Sequence, residues 1–450
     1  MGADEPYFSN GIKIGETTAE SAIVWVRLTK NKEADFSRLK IFSEGLPLEA
    51  RPKMEMPLDV NPGMSGFVRL KWRSTDTKDA YQETKWVKVD ESTDFIKQFR
   101  LSDLAANTKY TVIAEAKGEE ESGFESIDGT FLTAPKATDR EKVKFIVSTC
   151  QAIRSIDSGT DGHRAYQQMA SLKPHFFVHT GDIIYYDKVP FSKSKAQARA
   201  KWNLMFAYKH NRQFHRNVSS YFMKDDHDTL KNDCWPGQSY GKLTFDQGLS
   251  IFREQVPIGK STYRTFRWGK DVQIWLTENR DFRSPNNIED GPAKTILGTA
   301  QKDWLMKTLK ESDATFRFVI SPGPIVGPDK RGKNDNHSNA TFAHEGKELR
   351  QFLAPLKNTY VICGDRHWQY CSKDPDNGLL EMGCGPINDQ HSFGGDPGKD
   401  ENLHRYFGAR GGFLAVTVTG DAAVAQWYSS NEQPAGSKPK VVYTETLPLK

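Results

Sequence analysis

Six short apolar runs recur between residues 144 and 367, and each ends in polar residues able to do chemistry: KFIVSTC, HFFVHTGD, YFMKDDHD, QIWLTENRD, FRFVISPGP and TYVICGDRH. A brief continuous apolar run bounded by turn residues is the pattern of a strand buried on both faces. Helical spacing fills some of the intervals. HRAYQQMASLK stops at Pro174, and TAQKDWLMKTLK sets Leu305 and Leu309 on one face, with Thr299 as its expected N-cap. The basic, aromatic stretch from Lys188 to Arg216 is expected to form helices inserted between two strands. Strands alternating with helices predict an α/β layer architecture. In such sheets sites gather at the carboxyl ends of the strands, where this chain repeatedly places Asp, His, Cys and Arg. From Leu379 the pattern turns β-rich again, as in FLAVTVTGDAAVAQWY, and the Gly-rich segment 394–412 reads as a loop over or beside a cleft.

The first part of the chain has a different rhythm. Ala22, Val24, Val26 and Leu28 alternate after a turn signal, as in a half-buried strand. Leu104 followed by Tyr110 resembles the tyrosine corner of fibronectin-type sandwiches. GTFLTAPKATDR reads as a strand running into a linker. These features predict an all-β immunoglobulin/fibronectin-like sandwich over residues 1–136 and an α/β domain over residues 137–450. Pro47, Pro52, Pro57, Pro62, Gly63 and Gly66 interrupt the strand pattern between residues 30 and 100.

Composition narrows the class. A chain of 450 residues exceeds one simple core. Its 37% hydrophobic and 27% charged residues suit a globular protein. The net charge of +4 is too dispersed to indicate nucleic-acid specificity. No run approaches the ~18 apolar residues of a transmembrane helix. MGADEPYFSN lacks the apolar core of a signal peptide, and Pro6 stands where a myristoylation motif requires Ser or Thr. Cys150, Cys234, Cys363, Cys371 and Cys384 are scattered and odd in number, which is not a disulfide framework; a Cys371–Cys384 pair stays open.

The strand ends carry the chemistry. His179-Thr180-Gly181-Asp182 delivers a carboxylate past a glycine, and Tyr185 can turn back toward the same centre. Phenolate is a good ligand for a hard trivalent ion. Lys224-Asp225-Asp226-His227-Asp228 packs ionisable groups so densely that a cation or a partner is needed. There Asp226 reads as a metal ligand and His227 as the group reaching a leaving or attacking oxygen, against the alternative of a solvated acidic loop. Asp365 and His367 alternate within Gly364-Asp365-Arg366-His367, so one turn can aim them at two adjacent ions. Cys150 reads either as a buried small hydrophobe or as a thiolate ligand. Arg280 and Arg283 suit a bidentate anion clamp or surface ion pairs.

In order, C-Q, G-D-x-x-Y, D-D-H-D, R-x-x-R and G-D-x-H resemble the calcineurin-like metallophosphoesterases, and within them the PhoD-type alkaline phosphatases. LGTAQKDWLMKTLKESDATFRFVIS and ESAIVWVRL resemble further stretches of that family. The resemblance implies a four-layer sandwich of two central sheets flanked by helices, preceded by the β-sandwich. It implies ferric iron held by Cys150, Asp182, Tyr185 and His367. It also implies calcium at a second site that shares Asp182 and includes Asp226 and Asp365. Other divalent metals would also fit such a site. Asp228 stands where the family has Glu, and the segment Thr229–Asp233 departs from its acidic, Asn-rich pattern. The implied function is hydrolysis of phosphate monoesters or diesters by a two-metal mechanism with a metal-activated hydroxide. His227, Asp228, Arg280 and Arg283 would be the catalytic residues. Periplasmic or extracellular residence is implied, and Trp235 and Trp368 suggest a polymer- or glycan-linked substrate. The rival readings are a non-catalytic binder of anionic glycans and a hydrolase of another anionic ester.

Overall fold

The computed structural model describes residues 5–39, 54–118, 123–330, 332–392, 403–430 and 438–449. The features read at Met1-Gly2, Pro47 and Pro52, and residues 394–402 of the Gly-rich segment, lie outside them.

The six apolar runs form the centres of two mixed sheets. Val143–Ser148, Phe176–His179 and Ser219–Phe222 are parallel neighbours in a nine-stranded sheet. Val272–Leu276, Phe316–Ser321 and Thr359–Cys363 are parallel neighbours in a seven-stranded one. Successive side chains point to opposite faces of a sheet, and both faces are covered here. Phe145, Val147, Phe176 and Val178 of the first sheet meet Ile274, Leu276, Phe318 and Ile320 of the second in one core. Phe145 meets Phe318 edge-on at 5.2 Å, and Phe176 lies 4.7 Å from Trp268. The alternate residues face helices. Ile146 and Phe177 pack on Tyr166, Met169 and Phe214, from the helices Ala165–Ser171 and Lys209–His215. Trp275, Val319 and Val361 pack on Leu305, Leu309, Leu349 and Leu353, from the helices Gly298–Glu311 and Ala343–Leu353. Each large side chain buried in this way contributes roughly 1.5–3 kcal/mol.

The expected helices between Lys188 and Arg216 are Lys195–Met205 and Lys209–His215. The 412–429 region is a hairpin of Gly412–Thr419 and Ala422–Ser429. Two expectations are corrected. Thr299 is not a cap: its helix starts at Gly298, whose N–H donates to Thr295 Oγ1 at 2.8 Å. The preceding Ile296 N–H donates to the Glu345 carboxylate at 2.6 Å. Part of the Gly-rich loop is a strand, His404–Gly408, paired with Gln369–Lys373. Its Tyr406 stacks on Tyr443 at 4.5 Å, so burial of an aromatic ring outweighs the loop composition around it.

In the N-terminal region Tyr110 Oη accepts a hydrogen bond from Ala105 N at 2.8 Å, which is the expected corner. A five-stranded sheet built on Gly66–Ser74, Lys109–Lys117 and Glu125–Leu132 packs Val68, Leu70, Val112 and Phe131 against Ile12, Ile14, Val24, Val26 and Phe99. The latter come from Ile12–Gly15, Ala22–Arg27 and Ile96–Leu101, and these strands continue the nine-stranded sheet. Gly15 pairs in parallel with Ser220, and Ala22–Arg27 and Ile96–Leu101 extend the sheet outward. One layer of the sandwich is therefore the edge of the central sheet. All five cysteines are free and buried. Among the described residues no helix is long and apolar enough to cross a membrane.

Candidate metal centre and active site

Parallel strands carry their carboxyl ends to one rim, and the motif residues follow immediately. Cys150 lies two residues past Val143–Ser148, Asp182 three past Phe176–His179, and His367 four past Thr359–Cys363. Cys150, Asp182 and Asp365 all adopt left-handed backbone, with φ of 49°, 56° and 60°. The glycines before the two aspartates are required by close approach. A Cβ on Gly181 would lie 2.7 Å from Asp225 Cβ, and one on Gly364 would lie 2.3 Å from Thr180 Oγ1. The turns of the two sheets thus interlock, and side chains remote in sequence converge.

Cys150 Sγ is 3.4 Å from Asp182 Oδ2, and Tyr185 Oη donates to the same oxygen at 3.0 Å. Ligand atoms of Cys150, Asp182 and His367 lie within 4.8 Å of one another, as do those of Asp182, Asp226 and His227. Asp182 Oδ1 is buried with no hydrogen-bond partner among the described residues. Burial disfavours the ionised forms of these groups. Burial, then repulsion from Asp226 and Asp225, raises Asp182 well above the usual carboxylate range. Burial and the neighbouring Asp182 raise the Cys150 thiol and the Tyr185 phenol. Burial lowers the His367 imidazole, leaving it neutral. A thiol, a phenol, a neutral imidazole and an orphaned carboxylate oxygen are a donor set completed by a cation, which would favour the anionic forms. Thiolate and phenolate suit iron, so the residues fit the implied ion.

His227 lines the same cavity of about 180 Å³, beside Asp182, Tyr185, Asp365 and His367. Its Nδ1 bonds Asp187 Oδ1 at 2.6 Å and its ring lies 4.3 Å from that of Tyr185. Burial opposes its charged form, yet Asp226 and Asp187 raise its pKa.

The other expected residues are placed differently. Asp228 is turned inward: Oδ1 accepts from Asp182 N at 2.9 Å, and Oδ2 from Ile183 N at 3.4 Å. It shapes the Asp182 turn and does not reach the cavity. Arg280 is buried between Asp225, at 2.5 Å, and Asp335, at 3.2 Å. Arg283 donates to Asn286 Oδ1 at 2.5 Å and to the Asp335 carbonyl at 2.9 Å. Neither arginine lines the cavity, because buried carboxylates hold Arg280 and an amide oxygen and a backbone carbonyl hold Arg283. Asp365 lines it but is paired with Arg366, and it is not a member of the ligand clusters formed among the described residues. Trp368 is fully buried against Phe407 and offers no stacking face to a sugar.

Several residues escaped the sequence reading. His391 Nε2 lies 2.9 Å from Tyr185 Oη across 206 residues, a contact with no local signal. Asp187 stands two residues beyond Tyr185, in the same strand-end segment. Arg154, Lys188, Lys330, Lys333 and Arg366 supply a cationic wall, drawn from four loops.

The PhoD-like phosphatase model matches residues 145–409, more than half of the chain. This protein belongs to the PhoD-like phosphatase family. A solved PhoD structure superposes with a TM-score of 0.74 at 16% identity, covering 99% of this chain and 90% of that one. The purple acid phosphatase PPD1 from yellow lupin (Lupinus luteus) seeds superposes with a TM-score of 0.62 at 11% identity, covering 97% of this chain and 73% of that one. At such identities these two show a shared fold. No curated protein sequence matches the chain.

Proposed function

We propose that this PhoD-like phosphatase hydrolyses phosphate monoesters or diesters at a two-metal centre. Cys150, Asp182, Tyr185 and His367 would hold one ion, iron on the chemistry of its donors. Asp182 and Asp226 would begin a second, oxygen-rich site suited to calcium. The observation that carries the reading is the convergence of a thiol, a phenol, an imidazole and a second carboxylate on Asp182, which lines a cavity walled by cations. When bound, the ions would supply Lewis acidity toward a water nucleophile and the phosphoryl oxygens.

The protein's own groups account for the rest. Lys188 and Lys330 would attract the phosphate and offset charge developing on its oxygens. His227, fixed through Nδ1 by Asp187, presents Nε2 to donate a proton to the departing alkoxide. Arg280 and Asp228 act as positioning residues, through Asp225 and the Asp182 turn. The fold reading that accompanies this is the four-layer sandwich, with residues 1–136 as an N-terminal β-sandwich unit that shares a sheet with it. Export to the periplasm or beyond is part of the proposal, since weak calcium sites fill where calcium is abundant.

Turnover of nitrophenyl phosphate and bis-nitrophenyl phosphate by protein with its metals verified tests the activity. Hydrolysis of either is expected, with a loss of about 10²–10⁴-fold in His227→Ala. Inactivity of metal-loaded protein toward both, and toward a broad panel of esters, would refute it.

A further inference from the structure

Beside the metal centre lies a third convergence of acids. Ligand oxygens of Asp226, Asp233 and Asp335 fall within 4.8 Å of one another, and Asp226 and Asp335 are buried. The loop that brings them together is tightly held: Asp233 N donates to Asp226 Oδ2 at 2.5 Å. Three carboxylates so close repel strongly once removed from water, and such a trio persists only around a positive charge. Arg280 supplies part of that charge from behind, reaching Asp335 at 3.2 Å while its Nε is engaged by Asp225.

The remaining charge comes from Lys333. Its Nζ lies 2.7 Å from Asp233 Oδ1 and 3.5 Å from Asp335 Oδ1. Its side chain is largely covered, and it forms part of the cavity wall next to His227 and Asn232. An ordinary lysine ion pair is exposed and joins one acid. This ammonium instead touches two acids of an inward-facing trio, the arrangement that a divalent cation adopts among carboxylates.

We infer that Lys333 is a tethered cation occupying a carboxylate site with the geometry of a metal site. The Asp226/Asp233/Asp335 cluster is filled by the protein itself, with the Lys333 ammonium held on Asp233 and Asp335. An ammonium carries one charge where calcium carries two, and it cannot be removed by a chelator. The inference shares Asp226 with the proposed second metal site but does not depend on hydrolysis, because it concerns which cation sits at this cluster and is read by binding rather than turnover.

Calorimetric titration with calcium chloride provides the test, using the full chain with its resident metals. Lys333→Met keeps most of the side-chain stem and deletes the charge. It is expected to bind one more calcium per chain than the unsubstituted protein, and that added site is expected to vanish in Lys333→Met/Asp233→Asn. Equal calcium stoichiometry in a folded Lys333→Met protein and the parent would overturn the inference, as would an added site that survives Asp233→Asn. If Lys333→Met does not fold, Asp233→Asn in the parent background still decides. An unchanged calcium stoichiometry is expected there, whereas loss of one calcium would show that an ion, not Lys333, holds the cluster.

Discussion

Cys150, Asp182 and Asp365 each hold a left-handed backbone that favours glycine. For a non-glycine residue this conformation costs roughly 1–2 kcal/mol, and such strain persists where surrounding structure over-determines it. Asp228 does so for Asp182 by accepting its backbone N–H and that of Ile183. Cys150 N is tied to the Gly181 carbonyl at 3.2 Å, linking two of the turns directly. The strain places three functional groups at one rim, and metal binding by Cys150 and Tyr185 is the property to test. Cys150→Ser should lose most bound iron while keeping the fold. Tyr185→Phe deletes one oxygen and little volume. A coloured parent protein should shift or lose its visible band in Tyr185→Phe, because the band would report phenolate-to-iron charge transfer. Unchanged iron content and absorption in both variants would show that the ion is held elsewhere.

At the level of elements, the outer helices are joined to the sheet by buried acids as well as by apolar packing. Glu345, on the helix Ala343–Leu353, accepts from Thr295 Oγ1 at 2.5 Å and Ile296 N at 2.6 Å, and bonds His337 Nε2 at 2.9 Å. It thereby fixes the entry to the helix Gly298–Glu311. Burial opposes ionisation of this carboxyl, but the His337, Thr295 and Ile296 contacts prevail and lower its pKa to about 2. An unfolded glutamate titrates near about 4.3. The stabilisation is therefore complete above that pH and fades as pH falls toward 2, amounting to about 2–3 kcal/mol in full. Glu345→Gln should lower the denaturation midpoint at pH 7, and the gap from the parent protein should narrow as the pH is brought down through this range. A constant gap from pH 7 to pH 3 would show that charge at Glu345 is not what holds the two helices.

At the scale of the whole molecule, the N-terminal region is bound into the central sheet. Lys13 Nζ donates to the Gln255 carbonyl at 2.7 Å and lies 3.7 Å from the centre of the Phe206 ring. Trp25 Nε1 donates to the Glu254 carbonyl at 2.8 Å, and buried Arg264 pairs with Glu16. Removing residues 1–136 would bare the edge of Ser219–Phe222 and the apolar faces against it, which invites edge-to-edge association. A chain of residues 137–450 should therefore aggregate or bind a hydrophobic dye, and the full chain should melt in one cooperative calorimetric transition. A monomeric, well-folded 137–450 fragment would show instead that the sandwich is dispensable for the fold.

How much of this could be read from the chain itself depended on the range of the interaction. Fully apolar strand patterns, the tyrosine corner and the helices after Lys188 are local signals, carried by side chains within a few residues of one another. The strand-end motifs were legible for the same reason: a residue just past a buried parallel strand has little choice of where to point. Cys150, Asp182, Tyr185, Asp226, His227 and His367 accordingly meet as a group. The arginines illustrate the opposite case. Arg280 and Arg283 follow a strand just as Asp182 does, yet long side chains take the best partner within reach, and here that partner is Asp225 or the segment around Asp335. Arg283 also finds Asn286 three residues on, but the partners around Asp225 and Asp335 lie more than 50 residues away in sequence. Asp228, Lys333 and His391 likewise acquire their roles from backbone amides, acids and a phenol on other loops. The continuation of the sandwich into the central sheet rests on a parallel pairing between residues 15 and 220. Local pattern thus determined the elements and the kinds of residue at their ends. Tertiary packing decided which charges neutralise one another and which remain to face the cavity, because electrostatic partners are set by distance in space and burial, not by order along the chain.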